Sequence, residues 1–414
     1  MAPPCGSGRR WMRAVKLTLF LFFLIPMSSV GIRNTNTIFD KKNKLEIQRQ
    51  LKRLNKPALK TIKSPDGDII DCIDIKKQPA FDHPLLKNHT IQMRPSSYPE
   101  GLLFKESNNV SSNSKPKITQ TWHLNGRCPE GTIPIRRTKE EDLLKASSVA
   151  NYGRQKYNSI PNDNNNAIHE YATLIEEGDT YYGMNAEINV WNPQVQEQDE
   201  LSLAQFWLAA ADNNGVNRDT IEGGVMKQVY HELHQDYRTR LFTFWTNNGY
   251  QSGCYNLQCP GFVQTDNRLA FGASFEPYSD YGGDQSSVNF FVFKDNVHGH
   301  WWLQLGDDFL MGYWPSSIFS ILANSATSVT WGGEVTNYQR GGQHTTTQMG
   351  SGHFPEEGPS RASFFQNLKV IDHELVLRGP RDNREIVTHP NCYNLLKGDD
   401  FFYYGGPGRS PVCP

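Results

Sequence analysis

From Ile168 to the C-terminal end, apolar and polar positions alternate, or run apolar, over lengths that suit strands. Tyr182 to Trp191, Leu241 to Thr246, Phe262 to Phe271, Val288 to Phe293, Trp301 to Leu305 and Ser328 to Trp331 all show this, with Gly, Pro and Asn between them. In Leu241-Phe242-Thr243-Phe244-Trp245-Thr246 neither alternate set is purely polar, which predicts a strand covered on both faces. Long helical periodicity is absent from this half. The pattern predicts a mostly β protein built as an antiparallel β-sandwich or a barrel, and argues against an α/β enzyme on a parallel sheet.

The N-terminal part reads differently. Leu45, Ile47, Leu51 and Leu54 recur among charged residues and predict a short amphipathic helix within 33–55. Pro65-Asp66-Gly67 is turn chemistry between two β-prone runs, so 61–75 is expected to form a hairpin. A second β-prone patch, Gln120 to Arg137, would complete a smaller domain. Residues 106–117 are rich in Ser, Asn and Lys and predict mobility, and Tyr152 to Asn166 reads as an exposed polar linker with a boundary near 160. At the start, Arg9, Arg10, Arg13 and Lys16 precede the apolar run Leu17 to Met27, which the small residues Ser28, Ser29 and Gly31 follow. That is the layout of a secretory signal peptide over 1–31; the alternative, a membrane anchor, has a short run for spanning a bilayer. The expected organisation is thus 1–31 signal, 32–160 N-terminal domain and 161–414 main β domain, with no membrane span after the signal.

Charge removes one class of partner. Lys and Arg total 42 against 43 Asp and Glu, a formal net charge of -1, which leaves no basic footprint for nucleic acid. Cysteine usage adds a compartment. Cys5 falls in the signal segment, and the remaining Cys72, Cys128, Cys254, Cys259, Cys392 and Cys413 are an even set, as expected of three disulfides in a secreted chain. Chain order suggests pairing them 72–128, 254–259 and 392–413, one of the 15 arrangements open to six cysteines. Sequons at Asn88 and Asn109 fit the same route as glycosylation sites.

Familiar hydrolase signatures are missing. There is no Gly-x-Ser-x-Gly elbow, and the cysteines of the processed chain are assigned to bridges. In His231-Glu232-Leu233-His234 the histidines stand three apart, not the four of a zinc helix, and a charged surface turn is the simpler reading. His344 and His353 are possible metal ligands without a recognisable third, so neither a metal nor a cofactor is predicted. Two carboxylates stand out instead. Glu222 lies in Thr220-Ile221-Glu222-Gly223-Gly224 and Glu334 in Trp331-Gly332-Gly333-Glu334-Val335, each in an apolar, Gly-flanked, strand-like setting. A carboxylate there costs free energy unless it is paired or protonated, although from pattern alone outward-pointing edge positions are the commoner reading, since Glu is usually exposed. If folding brings the two together, one keeps a proton while the other is an anion, which is the basis of metal-free acid–base hydrolysis.

Phe244-Trp245-Thr246, Gly253-Cys254-Tyr255-Asn256, Cys259-Pro260-Gly261-Phe262-Val263-Gln264, Trp301-Trp302, Gly312-Tyr313-Trp314-Pro315, Trp331-Gly332-Gly333-Glu334-Val335 and Thr346-Thr347-Gln348-Met349-Gly350-Ser351-Gly352-His353-Phe354 form a set of motifs. Together they resemble those of the neprosin family. Ser64-Pro65-Asp66-Gly67-Asp68-Ile69-Ile70-Asp71-Cys72 and Lys77-Gln78-Pro79-Ala80-Phe81-Asp82-His83-Pro84 look like that family's activation peptide. The resemblance implies a β-sandwich glutamic peptidase that cleaves on the carboxyl side of proline in acid. Its dyad would fall on Glu222 and Glu334, and its propeptide would act as an intramolecular inhibitor. Tyr313, Trp314 and Trp331 are then candidates to hold the proline ring, with core packing as their competing role. One departure is visible. The family pattern Ile-Glu-Ala-Gly-Trp-Gln-Val is here Ile221-Glu222-Gly223-Gly224-Val225-Met226-Lys227-Gln228-Val229. A non-catalytic extracellular binding protein and a glycosidase using the same carboxylates are the competing functions; secretion to the wall or apoplast, or delivery to a vacuole, is the expected location.

Overall fold

The computed structural model describes residues 35–99, 119–145, 149, 152–154, 167–212, 214–215, 217–227 and 236–414. The signal segment, Asn109, the 106–117 run, most of the linker and His231 to His234 lie outside them. Contacts divide the chain into Met1–Lys44 and Leu45–Pro414. The first unit contributes the opening turns of helix α1 (Thr35–Leu54), in agreement with the predicted helix. In the second unit Ile47, Leu51 and Leu54 of that helix pack with Leu143 and Tyr152, the i, i+4, i+7 face of an amphipathic segment.

Strands β1 (Ala58–Lys63) and β2 (Ile69–Asp74) form the predicted hairpin, and β4 (Thr132–Arg136) completes a three-stranded sheet. Ser64 and Gly67 close the turn through Ser64 N–H to Asp68 O at 2.8 Å and Gly67 N–H to Ser64 O at 3.0 Å, and Gly67 takes a φ of 90° that suits glycine. A short strand pair joins β3 (Thr119–Gln120) to β12 (Phe275–Glu276).

The rest is a sandwich. One sheet has seven strands in the order β10 (Ser252–Tyr255), β9 (Thr239–Asn247), β8 (Arg218–Lys227), β7 (Ser202–Ala211), β16 (Ala326–Asn337), β5 (Ile168–Tyr181) and β19 (Arg384–Val387). The other has nine. Its main path runs β11 (Val263–Gln264), β15 (Phe309–Trp314), β14 (Trp301–Leu305), β13 (Ser287–Lys294), β6 (Gly183–Asn189), β17 (Ser363–Ile371), β21 (Phe402–Gly405) and β20 (Asn394–Lys397), with β18 (Leu377–Arg378) also on β17. All the pairings are antiparallel. Phe206 and Leu208 of β7, Ile221 of β8, Val329 and Trp331 of β16 meet Ile188, Phe290, Leu303 and Phe365 of the facing sheet in one continuous core. Alternation along each strand sends every second side chain there and its neighbours to the outer face. The predicted strand at 262–271 shrinks to Val263–Gln264, because Asp266 turns the chain and accepts from the Arg268 N–H at 2.7 Å.

The outer face of the nine-stranded sheet is partly covered. There, Ala80, Phe81 and Ile91 from the N-terminal region lie against Val263, Phe293, Trp302 and Tyr313. Gln78 clips this segment on: its Nε2 donates to Gln264 O at 3.1 Å, and Gln264 N–H donates to Gln78 Oε1 at 2.8 Å. A buried ion network adds to it, with Asp68 of the hairpin turn accepting from Arg240 of β9 at 2.6 Å and from Arg136 of β4 at 2.9 Å. Ile62, Ile70 and Trp122 share a small core with Ala270 and Ala273. The cysteines pair as chain order suggested, Cys72 with Cys128, Cys254 with Cys259 and Cys392 with Cys413, at Cα separations of 5.4, 5.6 and 5.2 Å. Asn88 is exposed. Among the described residues no helix is long and apolar enough to cross a membrane.

Candidate functional site

Glu222 and Glu334 sit on β8 and β16, the two strands that flank β7 in the seven-stranded sheet. Registers fix their faces. Glu222 pairs with Trp207 and Glu334 with Leu203, and these β7 positions differ by an even number, so both carboxyls share the outer face. Between them, Gln205 of β7 pairs with Gly224 on one side and Gly332 on the other. The floor is thus bare of side chains except for Gln205. Neither glycine has room for one: a Cβ at Gly224 would lie 2.0 Å from Ala204 O, and one at Gly332, whose φ is 151°, would lie 2.3 Å from Ala172 O.

The two carboxyls are held by different partners, not by one shared hydrogen bond. Glu222 Oε1 accepts from the Thr220 hydroxyl at 2.8 Å and from the Tyr250 hydroxyl at 3.2 Å. Glu334 Oε1 lies 2.5 Å from His169 Nδ1 and accepts from the Tyr171 hydroxyl at 3.4 Å, and its Oε2 accepts from Gln205 Nε2 at 3.4 Å. Both glutamates are buried. Burial pushes the Glu222 carboxyl up to about 7, helped by the negative charge of Glu334 and opposed by its two hydroxyl donors. Burial works against the charged form of His169, but the hydrogen bond and charge of Glu334 outweigh it and raise its pKa above the ordinary histidine value. One carboxyl therefore keeps its proton through the acid range, and the other is matched to an imidazolium. Such a pair can supply a proton and accept one across an intervening substrate.

An aromatic wall stands on the Glu222 side. Phe244 stacks on Tyr255 with ring centroids 4.1 Å apart and lies 6.5 Å from Tyr250; half-buried Trp207 and Tyr250 pack against this group. The rings singled out from sequence are elsewhere. Trp331 is three residues from Glu334, an odd step that turns it into the core, where it is fully buried; Trp314 is in the same core, its ring 4.6 Å from that of Phe262. Tyr313 faces the outside of the other sheet, where its hydroxyl contacts His89 Nε2 at 2.7 Å. None of the three belongs to the carboxyl face. Thr220, Tyr250, Trp207, Gln205, His169 and Tyr171 do, and the sequence reading missed them. A signal existed for one of them: Gln205 is a lone amide in the apolar run Ser202–Ala211. The departure from the family pattern reaches both faces: Gly223 pairs with Phe206 and Val225 belongs to the core, Met226 packs with Phe242, Phe244 and Tyr255 on the carboxyl face, and Gly224 between the glutamates is retained. A Cβ at Gly223 would meet the Phe206 ring at 3.0 Å, so that ring already fills the space.

His344 and His353, considered together from sequence, do not meet. His353 Nδ1 pairs with Glu357 at 2.8 Å, while His344 Nε2 lies 2.9 Å from Glu170 Oε2.

Comparison with known proteins bears on most of the chain, from residue 61 to residue 407. The profile of the family described as Neprosin matches residues 198–407, and the one described as Neprosin activation peptide matches 61–175. Among solved structures, two of scytalido-glutamic peptidase with transition-state analogues are 8% identical, with TM-scores of 0.32 and 0.30. They cover 58% of this chain and 100% and 98% of theirs. A third, of SCP-B, a member of the Eqolisin family, in a complex with the tripeptide Ala-Ile-His, is also 8% identical, with TM-score 0.29 and coverage of 58% and 98%. A likeness this distant is no guide to chemistry.

Proposed function

This chain belongs to the neprosin family, carries its activation peptide, and is a peptidase; from there we propose a secreted glutamic endopeptidase that hydrolyses peptide bonds on the carboxyl side of proline in acid. Glu222 and Glu334 are its catalytic pair. The observation that carries this reading is their placement on one face, with a floor between them that holds only Gln205, a Glu222 carboxyl pushed up by burial and a Glu334 carboxyl set against His169.

In this scheme Glu334, an anion beside His169, takes a proton from water as the water oxygen attacks the scissile carbonyl carbon. Glu222 gives its proton to the carbonyl oxygen. When the tetrahedral species collapses, the C–N bond breaks, the proton on Glu334 passes to the leaving amine, and the hydroxyl proton returns to Glu222. Atoms balance and no metal takes part. Gln205 is placed to orient water beside Glu334. Trp207 and Tyr250 offer flat apolar surface beside Glu222, suited to a proline ring.

The activation peptide is the intramolecular inhibitor. A covalently tethered domain is present at high effective concentration until its linker is cut, and cleavage is proposed within 155–166, followed by release in acid.

The test is digestion of a proline-rich protein by acid-treated enzyme, read by mass spectrometry, with Glu222→Gln and Glu334→Gln in parallel. Cleavage after proline by wild type alone is expected. Equal cleavage by either variant would remove that glutamate from the mechanism, and cleavage without regard to proline would refute the selectivity.

A further inference from the structure

Away from the carboxyl face, one cluster of side chains has no part in this reaction. Glu170 is on β5 between His169 and Tyr171, and strand alternation turns it to the other face, where it is fully buried. Its Oε2 lies 2.9 Å from His344 Nε2 and 3.1 Å from His389 Nδ1. All three atoms are within 4.8 Å of one another. Its Oε1 accepts from Asn337 Nδ2 at 2.8 Å and lies 3.1 Å from His344 Nε2.

The bonding of His344 defines what this cluster lacks. Its Nδ1 is 2.8 Å from the carbonyl oxygen of Thr345, which only accepts, so Nδ1 carries a hydrogen. In the neutral ring Nε2 is then a bare lone pair aimed at a carboxylate oxygen. Two acceptors at that distance repel unless a proton or a metal cation lies between them. His389 brings a third donor atom to the same oxygen. The Thr345 and Asn337 bonds are the kind of outer support that fixes the orientation of metal ligands.

We propose that Glu170, His344 and His389 form a binding site for a divalent transition-metal ion of the zinc class. Ligands at zinc distances of about 2.0–2.1 Å stand roughly 3.3 Å apart in a tetrahedral site, close to the two spacings observed. Imidazole and carboxylate suit zinc better than calcium or magnesium, which take oxygen ligands. The sulphurs of Cys392 and Cys413 also approach His344 but are bonded to each other. His389 is half exposed, so an ion reaches the cluster from solvent. Bound there, it would tie β5, the strand bearing His169 and Tyr171, to the segments around 344 and 389. Its role is structural and independent of the proposed peptidase chemistry.

The experiment uses the full precursor, stripped with EDTA, reloaded with zinc chloride at pH 7.5 and desalted. Zinc per chain is measured by mass spectrometry, and the melting temperature with and without zinc. Wild type and the outside control His353→Ala are expected to retain about one zinc per chain and to melt higher with it, as a three-ligand site requires. Glu170→Gln and His389→Asn are expected to retain almost none. His389 is half exposed, so its variant keeps the fold, and circular dichroism confirms this. Absence of bound zinc in wild type would leave the cluster a proton-bridged ion pair and overturn the proposal. Equal zinc in wild type and His389→Asn would place the metal elsewhere and overturn it as well.

Discussion

On the outside of the seven-stranded sheet Glu222 is buried beside Trp207 and Tyr250 and keeps its proton up to about pH 7. On the outside of the nine-stranded sheet His300 lies beneath the activation peptide and stays neutral down to about pH 4, because burial and the neighbouring His89 and His298 oppose its charge. The same cause, loss of water around an ionisable group, acts with opposite results. A buried acid is most at home in acid, and a buried base is least at home there. Lowering the pH therefore suits the carboxyl face and undermines the covered one. For His300 and His89, whose folded pKa is depressed by burial, the stability they contribute is present above the ordinary histidine value and lost as pH falls below it, for His300 toward about 4. The groups around His300 are His89, His298, Asp295, Lys294 and Tyr313, and the anion among them, Asp295, is engaged by Ser96 N–H and Ser97 Oγ of the activation peptide.

The sharpest way to break the comparison is to remove the carboxyl chemistry alone. Glu222→Gln and Glu334→Gln should each lower kcat/KM by about 10²–10⁴-fold while leaving the melting temperature close to wild type, the range expected for losing a general acid or base. Next in size, Gly332→Ala forces a Cβ against Ala172 O. A loss of roughly 1–3 kcal/mol in urea unfolding is expected, as for overpacking elsewhere. On the covered face, His89→Gln with His300→Gln should hold the activation peptide in place to lower pH. Its release, followed by hydrogen exchange of 75–99, should shift by up to about one pH unit, and an unchanged midpoint would show that other groups govern it. The smallest effect concerns the Tyr250 hydroxyl, which favours the Glu222 anion. Tyr250→Phe should raise the Glu222 pKa and move the alkaline limb of the pH–rate profile upward by a few tenths of a unit, roughly the scale of one lost hydrogen bond. A downward shift would show that the limb belongs to another group.

Much of the fold is visible in the sequence because strands with a buried face must alternate. The helix, the hairpin, the disulfide pairs and the sandwich class follow from local pattern. Strands β5 and β7 escaped notice because their composition is weakly β: Ser202–Ala211 is rich in Ala and Leu with no β-branched residue, and β5 carries Glu170, Glu176, Glu177 and Asp179 among its apolar positions. Both glutamates are conspicuous as charges in apolar, glycine-flanked surroundings. Their partners are not, because Thr220, Gln205, His169 and Tyr250 come from three strands and a turn that only the register brings together. Trp331 takes the core-packing role, for a reason already present in the chain: three residues from Glu334 is an odd number, and in a strand that means the opposite side.

The floor between the glutamates has a consequence for how the enzyme can change. Gly224 and Gly332 are crowded by neighbouring backbone, so substitution there cannot reshape the channel without displacing a strand. Trp207 and Tyr250 are half-buried and meet the channel through side chains alone. Altered appetite for substrates would therefore be written in the walls, while the bottom stays as it is across descendants of this chain.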